Sequence, residues 1–314
     1  MPLPNLFLIG AMKAGTTTLY SWLSQHPHVF MSPIKEPHFF ATDLWDVSSH
    51  IALGTEERVN NALSLIGSGL HNALIKDEKL YLKLFPKSVD QYQYIGEASP
   101  TYLRSRVAAQ NIAKACPGAK IVILLRDPID RAWSHYLMER NELRVPENFG
   151  ILIQDEINNM NKGRLCQHGI LESGLYASGI LRYLDHFQMS DVLIADQCEL
   201  RDRKAFVKKL NAFLGFEQDL FPSESDSANS SVAPRYLGLN RFLANTGIKQ
   251  IIRSIFPQFL IENSKKIYYQ KAPSPNEIDK QSKKILTEFY SEDIKKIVSM
   301  LGDNSPAWTL KYLR

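Results

Sequence analysis

The sequence predicts an α/β layer fold with a central, mostly parallel sheet and a helical C-terminal part. Three observations predict it. Short, wholly apolar runs recur through the first two thirds of the chain, as strands covered on both faces require. Stretches with helical spacing of apolar residues follow them, and alternation of this kind builds parallel sheets. Beyond a polar loop the chain turns helical and basic.

In chain order, Leu6 to Ile9 is the first buried strand. Thr16 to Gln25 carries Leu19, Trp22 and Leu23 at i, i+3 and i+4, and Pro27 stops it. Ile121 to Leu125 is the second strand. Asp127 to Arg140 is a helix that opens on Asp-Pro-Ile-Asp: an N-cap, a proline at N1 and an acid at N3 able to serve a capping box. Leu175 to Phe187 and Lys204 to Leu214 read as amphipathic helices, with the strand Val192 to Ala195 between them. Gly215 to Arg235 is rich in Ser, Pro, Asp and Asn and reads as a surface loop. A last helix spans Asn276 to about Leu301. With no internal repeat, the 314 residues are expected to form one domain, 1–314.

Composition narrows the function. Apolar residues make up 44% and charged residues 22%, as in a folded globular protein. The formal charge of +4, with no long Lys/Arg block to concentrate it, is too slight to imply nucleic acid, and no nucleic-acid partner is expected. Three cysteines, Cys116, Cys166 and Cys198, form no CxxC pair, and no His or carboxylate cluster has metal-ligand spacing. No metal is therefore expected. No apolar run reaches the roughly 20 residues of a membrane span, and MPLPNLFLIG lacks the form of a signal peptide. The expected location is cytoplasmic.

Gly10-Ala-Met-Lys13-Ala14-Gly15-Thr16-Thr17-Thr18 follows a strand and opens a helix. Backbone N–H groups and the positive helix end converge there on an anion, glycines permit close approach, Lys13 adds a charge and the threonines add hydroxyl donors. The nucleotide-kinase pattern GxxxxGK[ST] places lysine directly after the second glycine. Here Thr16 stands in that place and Lys13 lies inside the loop. The segment resembles the 5′-phosphosulfate loop, GxxKxGTT, of the sulfotransferases that use PAPS (3′-phosphoadenosine 5′-phosphosulfate). The resemblance implies a P-loop NTPase-like, three-layer fold, PAPS as co-substrate and PAP as product.

A second strand-to-helix passage, Lys120 to Tyr136, sets Arg126 at the carboxyl end of a strand, where ligands bind in open α/β sheets. Ser134 lies seven residues past Asp127, close to two helical turns, so arginine fork and serine hydroxyl can reach one anion. RDPIDRAWSHY resembles the family's 3′-phosphate motif, RDPxxRAxSxY. Two anion sites suit a donor phosphorylated at both 3′ and 5′ positions. Arg131 is expected to pair with an acid such as Asp130 or Glu97. Trp133, Tyr136 and Leu137 are expected in the core, and His135 is expected partly exposed.

Ile34-Lys35-Glu36-Pro37-His38-Phe39-Phe40 resembles the KEPHFF segment of heparan-type and related bacterial carbohydrate sulfotransferases. The resemblance implies that Glu36 is the general base, that His38 orients substrate or takes the base role instead, and that Lys35 touches the sulfuryl group. Glu36 beside Pro37 and two aromatics is placed for partial desolvation. Gly96 to Tyr102 resembles GExSPxY, with Ala98 where heparan-type enzymes usually carry lysine; Glu97 and Ser99 either line the acceptor pocket or fix the loop. Arg235 and Lys271 either close over the 3′-phosphate or stay solvated. Residues 174–184 and the tail to Trp308 also resemble the family.

The function expected is sulfuryl transfer to a hydroxyl or amine, most consistent with a saccharide acceptor. The rivals are a P-loop kinase acting on a sugar or nucleoside and a catalytically silent nucleotide-binding module.

Overall fold

A computed structural model describes residues 3–48, 51–64, 72–86, 91–217, 220–221, 232–234, 269–271 and 277–313. Its centre is a five-stranded sheet in the order β2-β3-β1-β4-β5, from β1 (Leu6–Gly10), β2 (Val29–Met31), β3 (Tyr94–Ala98), β4 (Lys120–Leu125) and β5 (Val192–Asp196). Every pairing is parallel. Leu6 to Ile9 and Ile121 to Leu125 are 0% exposed. Successive strand residues point to opposite faces, so unbroken burial means both faces are covered. This is the predicted three-layer α/β architecture.

Helices α1 (Thr16–Ser24), α5 (Pro128–Asn141), α7 (Tyr176–Leu184) and α8 (Arg203–Leu214) lie where the periodicity places them. In α5, Asp127 accepts from Ile129 N (3.0 Å) and Asp130 N (3.3 Å), the expected side-chain cap. Four further helices went unread: α2 (Glu56–Ser64), α3 (Glu78–Leu82), α4 (Ala108–Ala115) and α6 (Phe149–Asn161). The last helix, α9 (Lys280–Leu301), starts later than expected, at the Asp279 cap. A short antiparallel pair, β6 (Val232–Pro234) with β7 (Tyr269–Lys271), replaces the end of the expected 215–235 loop. Arg235 lies outside the described residues.

Strands β2 and β3 escaped the sequence reading for physical reasons. Three residues cannot display a period. The YIGEA of β3 contains Gly and Glu, both poor strand formers. Burial overrides propensity there: Glu97 is 0% exposed and accepts from the Tyr102 hydroxyl at 2.8 Å and the Tyr81 hydroxyl at 3.1 Å.

The helical C-terminal part packs on the side of the sheet that carries α5. Asp293 of α9 accepts from Tyr176 N (2.8 Å) and Ala177 N (3.2 Å), capping α7 from outside because the hydrocarbon side chain of Leu175 cannot accept a hydrogen bond. The turn 307–312 then reaches the cap of α5, where Tyr312 donates to Asp127 Oδ1 (2.9 Å) and Lys311 to Asp127 Oδ2 (3.1 Å).

Candidate active site

Each motif leaves the carboxyl end of a strand: 11–15 after β1, 32–40 after β2, 99–101 after β3 and 126–127 after β4. A parallel sheet points all these ends the same way, so the segments share one edge.

In the first loop Gly15 has φ +90° and forms the N-cap of α1. A Cβ there would meet Leu200 Cδ1 at 2.7 Å. The left-handed backbone favours glycine here, and any side chain would also have to displace the end of Leu200. Lys13 also holds a left-handed φ, +66°, a strained value for a lysine and one that persists where the surroundings enforce it. Its ammonium lies 3.7 Å from Met138 Sδ. Ala14 is fully buried and Thr16 nearly so, while Thr17 and Thr18 are half-buried at the helix start.

Arg126 donates from Nη1 to the main-chain carbonyl of Lys13 at 3.0 Å. Its own carbonyl accepts from the Tyr176 hydroxyl at 2.8 Å. The two anion motifs therefore meet on one side of the sheet. On α5, Asp130, Ser134 and Met138 are half-buried while the residues between them are buried. Steps of four keep to one helical face, so this open stripe runs from beside Arg126 to Lys13. Ser134 is its midpoint.

Electrostatics tie the same groups together. Burial and then the Arg126 cation lower the pKa of Lys13, with Glu36 opposing them. Burial lowers the pKa of Arg126, opposed first by Asp130. Asp130 is thus the acid that bears most on Arg126, and the helix start is capped by the Asp127 side chain without the capping box that Asp130 could have completed.

Glu36 is largely buried, its side chain 16% exposed, and pairs with Lys35, itself 3% exposed. His38 has φ +53° and is 2% exposed. Its Nδ1 lies 2.7 Å from Thr101 Oγ1, its Nε2 2.8 Å from Asn72 Oδ1 and 3.9 Å from Glu36 Oε2. Burial lowers its pKa, with Glu36 opposing. Glu36, Lys13 and Arg126 are brought together; His38 lies beneath Glu36 with both ring nitrogens engaged. Ser99 fixes the loop, its hydroxyl accepting from His38 N at 3.2 Å. Glu97 does the same through its tyrosines, and Ala98 is fully buried.

Two sequence expectations are corrected. Arg131 pairs with neither Asp130 nor Glu97: fully buried, it donates to the Ile170 carbonyl and sits 3.3 Å from His135 Nδ1. One residue along a helix turns the side chain by about 100°, so Arg131 is buried where Asp130 lies on the half-buried stripe. His135 is buried too, at 2% exposure. Trp133, Tyr136 and Leu137 are core residues as expected.

Asn72, Thr101 and Met138 are the residues that sequence reasoning missed. Met138 was accessible as Ser134 plus four, one turn farther on the same face. Asn72 and Thr101 carry no local signal. Among the described residues no group of three or more His, Cys, Asp or Glu is placed to hold a metal ion, and no helix is long and apolar enough to cross a membrane. A cavity of about 140 Å³ lies beside Asp196, Cys198 and Glu199, next to the turn whose Gln197 and Leu200 pack against Gly15, and one of about 430 Å³ lies between Asn148 and Asp279.

A family model described as the sulfotransferase family matches residues 4–162. The chain is 25% identical over 328 residues to the bifunctional heparan sulfate N-deacetylase/N-sulfotransferase 2 of Bos taurus, covering 99% of this chain and 31% of that protein. It is 30% identical over 217 residues to the corresponding enzyme 1 of Mus musculus, covering 68% and 22%. The chain thus spans less than a third of the length of these relatives. A sulfotransferase from Alicyclobacillus acidocaldarius, known from its crystal structure, superposes with a TM-score of 0.65 at 26% identity, covering 96% of each chain.

Proposed function

From the premise that this chain belongs to the sulfotransferase family, we propose that it moves a sulfuryl group from PAPS to a hydroxyl or amine of a saccharide. The observation that carries the reading is the contact between Arg126 and the Lys13 carbonyl, which joins two anion-binding segments in one cleft. A nucleotide charged at both its 3′ and 5′ ends suits such a pair.

In this reading Lys13, Gly15 and the start of α1 hold the 5′-phosphosulfate, and Arg126 with Ser134 holds the 3′-phosphate. Sulfuryl transfer resembles phosphoryl transfer in that the protein chiefly positions groups and neutralises charge. The acceptor oxygen or nitrogen bonds to sulfur as the bond from sulfur to the bridging phosphate oxygen breaks. Glu36 takes the acceptor's proton, and PAP leaves with the bond's electron pair on the oxygen that Lys13 faces. Low exposure strengthens each of these interactions. The saccharide is supported by the KEPHFF segment and by relatives named for heparan sulfate N-sulfation. Action in the cytoplasm and a single sulfotransferase domain over 1–314 belong to the same proposal.

The test is direct. PAP should raise the melting temperature where ATP with magnesium does not, and labelled PAPS should transfer its sulfuryl group to a member of a panel of amino and hydroxyl saccharides. Stabilisation by ATP with magnesium in place of PAP would overturn the donor assignment, and PAP binding without transfer to any acceptor would leave a silent nucleotide-binding module.

A further inference from the structure

The cleft holds two possible bases, Glu36 and His38, and the geometry around His38 decides between them. Asn72 turns Oδ1, which can only accept, toward His38 Nε2 at 2.8 Å, an arrangement that a hydrogen on Nε2 satisfies. The neutral ring then has its lone pair on Nδ1, where the Thr101 hydroxyl, 2.7 Å away, can donate to it. Nε2, the ring atom 3.9 Å from Glu36 Oε2, has no lone pair to offer a substrate. The residue is fastened at its backbone as well: His38 N donates to Ser99 Oγ (3.2 Å) and its carbonyl accepts from Trp45 Nε1 (3.2 Å). With the ring 2% exposed, rotation to another partner is closed off.

We infer that Asn72 is a positioning residue that holds His38 as the neutral Nε2–H tautomer, leaving Glu36 as the group in the cleft able to take the acceptor's proton. The inference rests on the reading of Glu36 as base. The charged groups bearing on His38 are Glu36, which favours the imidazolium, and Lys35 and Arg104, which oppose it; burial opposes it more than any of them. A doubly protonated His38 would pair with Glu36 across the 3.9 Å gap and lower its basicity. Keeping His38 neutral therefore protects the carboxylate's function. Asn72 does this from the loop that pairs with the KEPHFF segment, Glu36 forming an isolated parallel bridge with it, although Asn72 has no place in any recognisable motif.

Nitrogen-labelled histidine in the full chain tests the inference without an acceptor. Long-range proton–nitrogen correlation spectra, with the His38 signals assigned by His38→Asn, should show hydrogen on Nε2 alone from about pH 5.5 to about pH 8, across the range where an ordinary histidine titrates. Asn72→Asp keeps an oxygen facing Nε2 but adds a charge, and should bring the second proton onto the ring within that range. Asn72→Ala, at an exposed position where folding is not at stake, should give a tautomer mixture. Wild-type spectra with hydrogen on Nδ1, ordinary titration of His38, or no change in Asn72→Asp would each overturn the inference. The base reading fails separately: full turnover in Glu36→Gln would remove Glu36 as base and leave the tautomer result standing. If both hold, the acidic limb of the Asn72→Asp rate profile moves to higher pH, a change that simple loosening of the loop would not produce.

Discussion

Arg126 donates to the carbonyl of Lys13 at 3.0 Å, across 113 residues of sequence. That one bond joins the turn after β1 to the end of β4, and the Tyr176 hydroxyl holds the same arginine residue from behind. In the proposed reading the two ends of the donor meet groups that share a scaffold, and a change at either end should be felt at the other.

Lys13→Ala removes a partly buried cation from the cleft. Loss of a hydrogen bond to a charged group costs about 1.5–3 kcal/mol, or about ten- to a hundredfold. PAP affinity by calorimetry and the transfer rate should both fall by at least that much; wild-type values for both would remove Lys13 from the donor site.

Arg126→Ala should weaken PAP by about 1.5–3 kcal/mol, as expected for a charge-assisted phosphate contact. AMP, which lacks the 3′-phosphate, should be affected much less. Titrating both nucleotides into both proteins isolates the 3′-phosphate contribution, and equal losses for the two would place Arg126 elsewhere.

Glu36→Gln preserves size and hydrogen bonding but cannot take a proton. PAP should bind as before while turnover falls by about two to four orders of magnitude, the range of general base catalysis. A modest loss would send the search for the base to another group.

Gly15→Ala forces a side chain into a left-handed backbone with Leu200 Cδ1 2.7 Å from the new Cβ. The backbone alone costs about 1–2 kcal/mol. Thermal unfolding should occur at lower temperature, and donor affinity should fall as the loop shifts. Unchanged melting would mean that the turn tolerates a different backbone.

Glu97 supplies a pH signature. Burial raises its pKa to about 8 from the ordinary 4.5, although the hydroxyls of Tyr102 and Tyr81 act in the opposite direction. The folded state then holds a proton that the unfolded chain releases. The resulting stability is complete below the ordinary value and declines as pH rises through the interval up to about 8. Glu97→Gln should flatten this decline in denaturant titrations; an unaltered slope would show that other groups set it.

Much of the fold was legible because its signals are local. Leu6 to Ile9, Ile121 to Leu125 and Val192 to Ala195 declare themselves as buried strands, and Asp127-Pro128 announces a helix start. Glu97 shows why β3 was not legible: a Glu in a core strand is tolerated because burial favours its protonated form and two tyrosines, one from α3 and one just past β3, reach its oxygen. The same holds for Arg131 and His135, polar by type yet buried against one another.

The sequence by itself determined the turn at 10–18 and the arginine at the end of β4, each by residue type beside a readable strand. It singled out Glu36 through the resemblance of the 34–40 segment to a family motif, since β2 ahead of it is too short to show a period. Only the tertiary structure decided that Lys13 meets Arg126 and that Asn72 and Thr101 hold the two sides of His38. Those relationships join atoms far apart in the chain, and it is the parallel sheet, by bringing its carboxyl ends to one edge, that makes them neighbours.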